Sequence, residues 1–219
     1  MHRAFLLLVP TLAAFSVSGC MVSGVTGTPY AESLRSTYTG FEQVDSSAGV
    51  EVIVAQGNFD VTATSPSNSK MENLIVEVRG NTLHVSRKQK TMGWGDNARY
   101  RVNVSAPTYT GFEASSGSSI TGANLQLADV DVDISSGATI SLSGACKTLH
   151  GNASSGAHFS GHDLKCETAT IDASSGASAR AFAARSASGD ASSGASVNFF
   201  GNPATLDRDE SSGGSVSAR

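Results

Sequence analysis

The tripeptide Ser-Ser-Gly occurs six times, beginning at Ser115, Ser135, Ser154, Ser174, Ser192 and Ser211. The intervals are 20, 19, 20, 18 and 19 residues. Near-equal spacing of this kind is the signature of a solenoid, in which each repeat is one coil that covers its hydrophobic face only by stacking on its neighbours. It also removes the most tempting enzymatic reading. A serine before a glycine, with an aspartate nearby as in Asp172-Ala-Ser-Ser-Gly, invites comparison with an activated nucleophile. A nucleophile is needed once, with a dedicated base and an oxyanion site. A motif repeated at every coil is a turn: Gly adopts positive φ without penalty and Ser hydroxyls bond local backbone.

The residues around each turn set the coil type. Val130, Val132 and Ile134 alternate with Asp129, Asp131 and Asp133, and Ala169, Ile171 and Ala173 alternate with Thr168, Thr170 and Asp172. Period two means strand, with apolar residues inward and polar ones outward. Short segments such as Ile140-Ser141-Leu142 and Val197-Asn198-Phe199 follow each turn, and Gly122, Gly144, Gly161 and Gly201 close them. The expected fold is all-β, a single-stranded β-helix of ~19-residue coils at ~4.8 Å spacing, so that six coils make a rod of roughly 25–30 Å. The last repeat carries Arg208 and Glu210 where other coils are apolar, which reads as a terminating coil. The 23 glycines and only 6% aromatic residues, which could otherwise signal disorder, are accounted for by this repetition.

Stacked coils turn equivalent sequence positions into spatial neighbours. Cys146 and Cys166 each lie eight residues before a Ser-Ser-Gly, so their Cα atoms should be about 5 Å apart, within disulfide range. Two buried thiols in adjacent coils is the alternative. Two residues before the corners sit Glu113, Asp133, Asn152, Asp172, Asp190 and Asp209, which should form one column. Carboxylates ~5 Å apart repel by roughly 1 kcal/mol per pair in water. Two remedies are open: each side chain caps its own turn through backbone N–H groups, or the column binds a hard cation such as Ca²⁺. Asp129, Asp131 and Asp133 read as a solvated acidic stripe. His150, His158 and His162 with Asp163 match no structural zinc spacing, so no other metal or cofactor is expected.

Residues 38–108 lack the repeat but are also strand-rich. Val50–Val54 and Phe59–Ala63 flank Gln56-Gly57-Asn58, and Leu74–Arg79 and Thr82–Arg87 flank Gly80-Asn81. Both read as hairpins. Residues 88–97 read as an exposed loop holding Trp94, the only tryptophan, which either folds back onto the scaffold or serves as a binding anchor. Tyr38-Thr39-Gly40-Phe41-Glu42 returns as Tyr109-Thr110-Gly111-Phe112-Glu113, so both halves should start with the same entry element and form one structure over residues 38–216.

The N-terminus predicts an address. Arg3 precedes an apolar run, Ala4 to Val17, that is short for a membrane span and has the layout of a secretion signal. Val17-Ser18-Gly19-Cys20 resembles a bacterial lipobox, which implies a signal peptide over 1–19, lipidation of Cys20, and an anchor linker over 20–37. The absence of Asp after Cys20 resembles lipoproteins sorted to the outer membrane. Residues 1–19 carry one charged group, Arg3, so 15 − 1 = 14 basic residues face 19 acidic ones, a net of −5. With no basic cluster, nucleic acid is excluded as a partner.

GFEQVDSSAGVEVIVAQG, NLIVEVRGNTLHVSRK, RYRVNVSAP and the SSGA repeats together resemble the putative auto-transporter adhesin, head GIN domain family. That resemblance implies an exported protein, often a lipoprotein, with a β-helical fold and no established reaction. The expectation is therefore a non-catalytic cell-envelope lipoprotein, held to a membrane by its lipid and binding or scaffolding an unidentified protein or glycan. Two alternatives remain: a polysaccharide-active β-helix enzyme, and a purely structural envelope module. The enzyme would need clustered carboxylates and basic residues on long loops, and only residues 88–97 offer such a loop.

Overall fold

The computed structural model describes residues 38–65, 71–88 and 99–219, and the backbone of residues 28–29. Cys20 and Trp94 lie outside the described residues, as do the signal segment and most of the 88–97 loop. Among the described residues, no helix is long and apolar enough to cross a membrane.

Sixteen strands follow in chain order: β1 (Thr28–Pro29), β2 (Gln43–Ser46), β3 (Glu51–Gln56), β4 (Asp60–Ser65), β5 (Leu74–Arg79), β6 (Thr82–Arg87), β7 (Arg101–Ala106), β8 (Gly111–Ala114), β9 (Ser119–Gln126), β10 (Asp129–Ile134), β11 (Thr139–Ala153), β12 (His158–Ala173), β13 (Ser178–Ala191), β14 (Ser196–Phe200), β15 (Thr205–Glu210) and β16 (Ser215–Ala218). Strands before the corners pair in parallel to build one face: β6, β2, β8, β10, the second halves of β11, β12 and β13, then β15. Strands after the corners build the other: β7, β3, β9, the first halves of β11, β12 and β13, then β14 and β16. The result is a β-solenoid.

The Ser-Ser-Gly corners stand in single file. Each closes on itself by a backbone bond from the residue after Gly to the first Ser, as in Ala138 N–H to Ser135 C=O at 3.1 Å. The second Ser and the Gly both take positive φ, 53° and 69° at Ser136 and Gly137. These are the dihedral signs of a type I′ turn. From Gly117 to Gly194 each corner Gly then donates to the next coil, Gly137 N–H to Ser155 C=O at 3.1 Å and Gly156 N–H to Ser175 C=O at 3.0 Å. A seventh corner, Ser47-Ala48-Gly49, has the same geometry with Ala48 at φ 58°.

The core lies between the two faces. One inward row runs Val52, Ile120, Ile140, Phe159, Ala179, Val197, Val216, all buried. The opposing row alternates large and small, Val132, Gly151, Ile171, Gly189. A Cβ on Gly151 would meet Ile171 Cδ1 at 2.7 Å, so the missing side chain is what lets the isoleucine fill the coil below. In the last coil, Arg208 and Glu210 occupy the register of Gly189 and Ala191 and are exposed.

The N-terminal half departs from the expected hairpins in one place. β5 and β6 do form the hairpin around Gly80-Asn81. β3 and β4 do not pair: β7 lies between them, parallel to β3 and antiparallel to β4. Gly57 N–H donates to Ala106 C=O at 3.0 Å rather than closing a two-residue turn. The reason is that β3 has both edges occupied by strands of the solenoid, β7 and β9. The coil that comes first in sequence is therefore not at the end of the stack. The chain leaves it after β3, builds β6 and β7 alongside it with β4 and β5 as antiparallel covers, and returns at β8 on its other side. β1 adds to the far edge of β4.

The two Thr-Gly-Phe-Glu copies are also not in register. Phe112 pairs with Val44 and Glu113 with Asp45, three residues beyond Phe41 and Glu42. Backbone ladders align the corners, and the first copy has three more residues between its Phe and its corner Gly, from Phe41 to Gly49 against Phe112 to Gly117. Their tyrosines instead bridge the entry segment to other strands. Tyr38 donates to Val76 C=O at 3.0 Å, and Tyr109 to Ala55 C=O at 2.9 Å and Val104 C=O at 3.2 Å. Burial raises the Tyr109 phenol above its ordinary range.

Candidate functional site

The residues two before each corner do form one column. Glu113, Asp133, Asn152, Asp172, Asp190 and Asp209 are successive register partners. Parallel strands place like positions ~4.8 Å apart, and alternation sends every one of these side chains outward. The column extends beyond the repeats, because Asp45 pairs with Glu113 and His84 with Asp45. Neither was foreseen, since their strands have no Ser-Ser-Gly period. The signal that could have found Asp45 is its position before Ser46-Ser47-Ala48-Gly49, one residue closer to its serine pair than in the repeats.

The charge in this column is relieved sideways. Asn152 Nδ2 donates to Asp133 Oδ1 at 2.8 Å, and His84 Nδ1 lies 2.8 Å from Asp45 Oδ2. Glu113, between Asp45 and Asp133, has its carboxyl raised above the usual range, first by burial and then by those two carboxylates, with His84 acting in the opposite direction. The carboxylates do not cap their turns, contrary to one expectation. A strand side chain two residues before the corner stands perpendicular to the sheet, and the N–H groups of the first serine and of the residue after the glycine are already bonded to backbone carbonyls. Asp172, Asp190 and Asp209 are consecutive and make no ion pair among the described residues. An open groove runs between this column and the first serine of each corner, Ser135, Ser154, Ser174 and Ser192. Among the described residues no group of three or more His, Cys, Asp or Glu has the arrangement to hold a metal ion.

The cysteines are direct register partners. Cys146 and Cys166 are disulfide-bonded with Cα atoms 4.4 Å apart, and both are buried.

The histidines are dispersed. His150 is outward on the first face between Asp131 and Thr170, and His158 is outward on the second between Thr139 and Ser178. His162 lies where β12 bulges: Gly161 pairs with Ala181 and Lys165 with Phe182, leaving three residues of β12 against none of β13. Here Ser160 Oγ is 3.3 Å from His162 Nδ1, and His162 Nε2 is 3.1 Å from Asp163 Oδ2. The order Ser, His, Asp is that of a hydrolytic triad, and alternation within one strand could have indicated the Ser160–His162 contact. In this arrangement the His162 and Asp163 side chains are 39% and 63% exposed, so water screens the contact between them.

The bulge also re-aims a column of larger side chains. Lys165, Phe182 and Phe200 are successive register partners, pointing outward. Lys165 Nζ sits 4.3 Å from the centre of the Phe182 ring, and Arg219 Cζ 5.5 Å from that of Phe200.

A family model described as "Putative auto-transporter adhesin, head GIN domain" matches residues 40–203. The chain belongs to this family. Its fold is shared by a solved protein titled a putative adhesin from Bacteroides fragilis, at TM-score 0.63 and 13% identity, covering 88% of this chain and 96% of that one. More distant likenesses are a putative adhesin from Parabacteroides merdae (TM-score 0.48, 10% identity, 89% and 95% covered) and a putative lipid binding protein from Parabacteroides distasonis (0.46, 13%, 83% and 93%). No curated protein matches the chain. The family model and the Bacteroides fragilis protein both carry an adhesin description.

Proposed function

We propose that this head GIN domain protein is a non-catalytic binding module of the cell envelope, held to the membrane by lipid on Cys20 and presenting the sides of its solenoid to a ligand. The observation that carries this reading is the regularity of the surface. The same corner, strand and outward polar position recur coil after coil. A reaction centre concentrates unlike groups at one place. A binding surface gains from repeating similar groups along a line, because each coil adds a weak contact and the contacts act together. The family's adhesin description and the lipobox-like Val17-Ser18-Gly19-Cys20 support an envelope address.

The test is to express the full chain in a non-adherent bacterium and measure cell retention on surfaces coated with envelope polysaccharide or host matrix. Retention should rise for the wild type and be lost for Cys20→Ser, which should also fail to incorporate labelled fatty acid. The same protein incubated with acidic polysaccharides should release no new reducing ends and no unsaturated products. Release of either would overturn the non-catalytic reading in favour of a polysaccharide-active enzyme.

A further inference from the structure

We infer that the column Lys165–Phe182–Phe200 with Arg180 and Arg219 is a binding site for an acidic polysaccharide, the sugar lying along the exposed side of this aromatic ledge and its carboxylates meeting the cations. This rests on the binding reading above and adds its site and its ligand class.

The first argument is where aromatic surface is spent. The core phenylalanines Phe41, Phe112, Phe159 and Phe199 are buried. Phe182 and Phe200 are only half-buried, adjacent, and in register on neighbouring strands. Alternation points them out of the solenoid while Ala181 and Phe199 beside them fill the core. Outward aromatic pairs at the ~4.8 Å strand spacing form a ledge longer than one ring, and flat apolar faces bordered by polar groups suit the C–H faces of sugars. The β12 bulge brings His162 to this ledge, its ring 5.8 Å from that of Phe200.

The second argument is charge. Arg180 lies two residues before Phe182 on the same side of β13, is exposed, and makes no ion pair or hydrogen bond among the described residues. Lys165 and Arg219 already lie against the two rings. Lys165 also donates to His162 C=O at 2.8 Å, which fixes its ammonium in place, and its one carboxylate neighbour, Asp163, is 3.9 Å away. Lys165, Arg180 and Arg219 thus set three cationic side chains along this strip, in a chain whose net charge is negative. The other face of the solenoid carries Asp133, Asp172, Asp190 and Asp209 in file and repels a polyanion. An acidic polymer is thereby steered to one side of the molecule. A neutral glycan would make no use of the free Arg180, and a bare phosphate would make no use of the rings.

The experiment is titration of the full chain in neutral detergent with polyuronate oligosaccharides, beside neutral dextran and vesicles of anionic phospholipid. The expected result is saturable polyuronate binding, weakened by added salt and absent with dextran. Arg180→Glu should weaken it at least tenfold with an unchanged melting midpoint. Phe200→Leu, which keeps apolar bulk but removes the ring face, should weaken it similarly. Asp129→Asn, on the opposite face and outside the carboxylate column, should leave it within twofold. Absence of polyuronate binding, equal binding of dextran, tighter binding of the vesicles, or an Arg180→Glu protein that binds like wild type would each overturn the proposal. If any of these occurs while the displayed protein still confers retention on cells, the binding function stands and only this site and ligand fall.

Discussion

Asn152 Nδ2 donates a 2.8 Å hydrogen bond to Asp133 Oδ1, joining two coils through the only amide in a file of carboxylates that continues as Asp172, Asp190 and Asp209. Asn152→Asp removes the donor and adds one carboxylate that makes two like-charge contacts, with Asp133 and Asp172. At ~5 Å in water each such pair costs roughly 1 kcal/mol, reduced by salt. The expected outcome is a loss of about 1–2 kcal/mol in urea unfolding at low ionic strength, shrinking in high salt.

The corners test backbone strain apart from packing. Gly176 has φ 71°, and a Cβ there would meet nothing within 4 Å. Gly176→Ala should still cost about 1 kcal/mol, because an L-residue resists the left-handed region. Ser175, at φ 52°, already bears that strain. Ser175→Asn should raise stability by several tenths of a kcal/mol, since Asn tolerates this region best among side-chain-bearing residues. Thermal midpoints of the two variants should move in opposite directions.

Gly161→Ala is the packing counterpart. Its Cβ would lie 2.4 Å from Phe159 Cζ, inside the core. Overpacking of this kind costs about 1–3 kcal/mol. Phe159→Leu in the same chain should recover part of the loss by double-mutant cycle, whereas no partner substitution rescues Gly176→Ala.

The Cys146–Cys166 bond closes a loop of 20 residues. On the chain-entropy model its removal costs about 3 kcal/mol. The Cys146→Ala, Cys166→Ala protein should melt lower than the oxidised wild type, and reductant should bring the wild type close to it while leaving the variant unchanged. Equal midpoints with and without reductant would mean that the thiols are not joined in the native protein.

Glu113 sets a pH dependence. Burial first, then Asp45 and Asp133, raise its carboxyl in the folded state. The folded protein thus holds the proton at pH values where the unfolded chain has lost it, so stability falls as pH rises from the ordinary carboxylate range through the folded-state value. Glu113→Gln should be more stable than wild type at about pH 7, and the advantage should vanish at about pH 3, where both states of the wild type are protonated there. A wild-type advantage at neutral pH would contradict the assigned direction.

Much of this molecule was legible from residues alone, and the reason is local. A repeat near 19 residues makes the nearest neighbour in space also the nearest repeat in sequence. The corners, the inward rows, the adjacency of Cys146 and Cys166 and the file from Glu113 to Asp209 therefore follow from counting. Tertiary structure decided whatever depends on which strand edges remain open. Alternation marks β3, β4 and β7 as strands, but their order depends on hydrogen-bonding edges that β9 and β7 claim ahead of β4. The same competition put Asp45 and His84 at the head of the carboxylate file and moved Phe41 three residues out of register with Phe112. The bulge that gathers Ser160, His162 and Asp163 and turns Lys165 toward Phe182 likewise exists only because coils of unequal length must stack with their corners aligned.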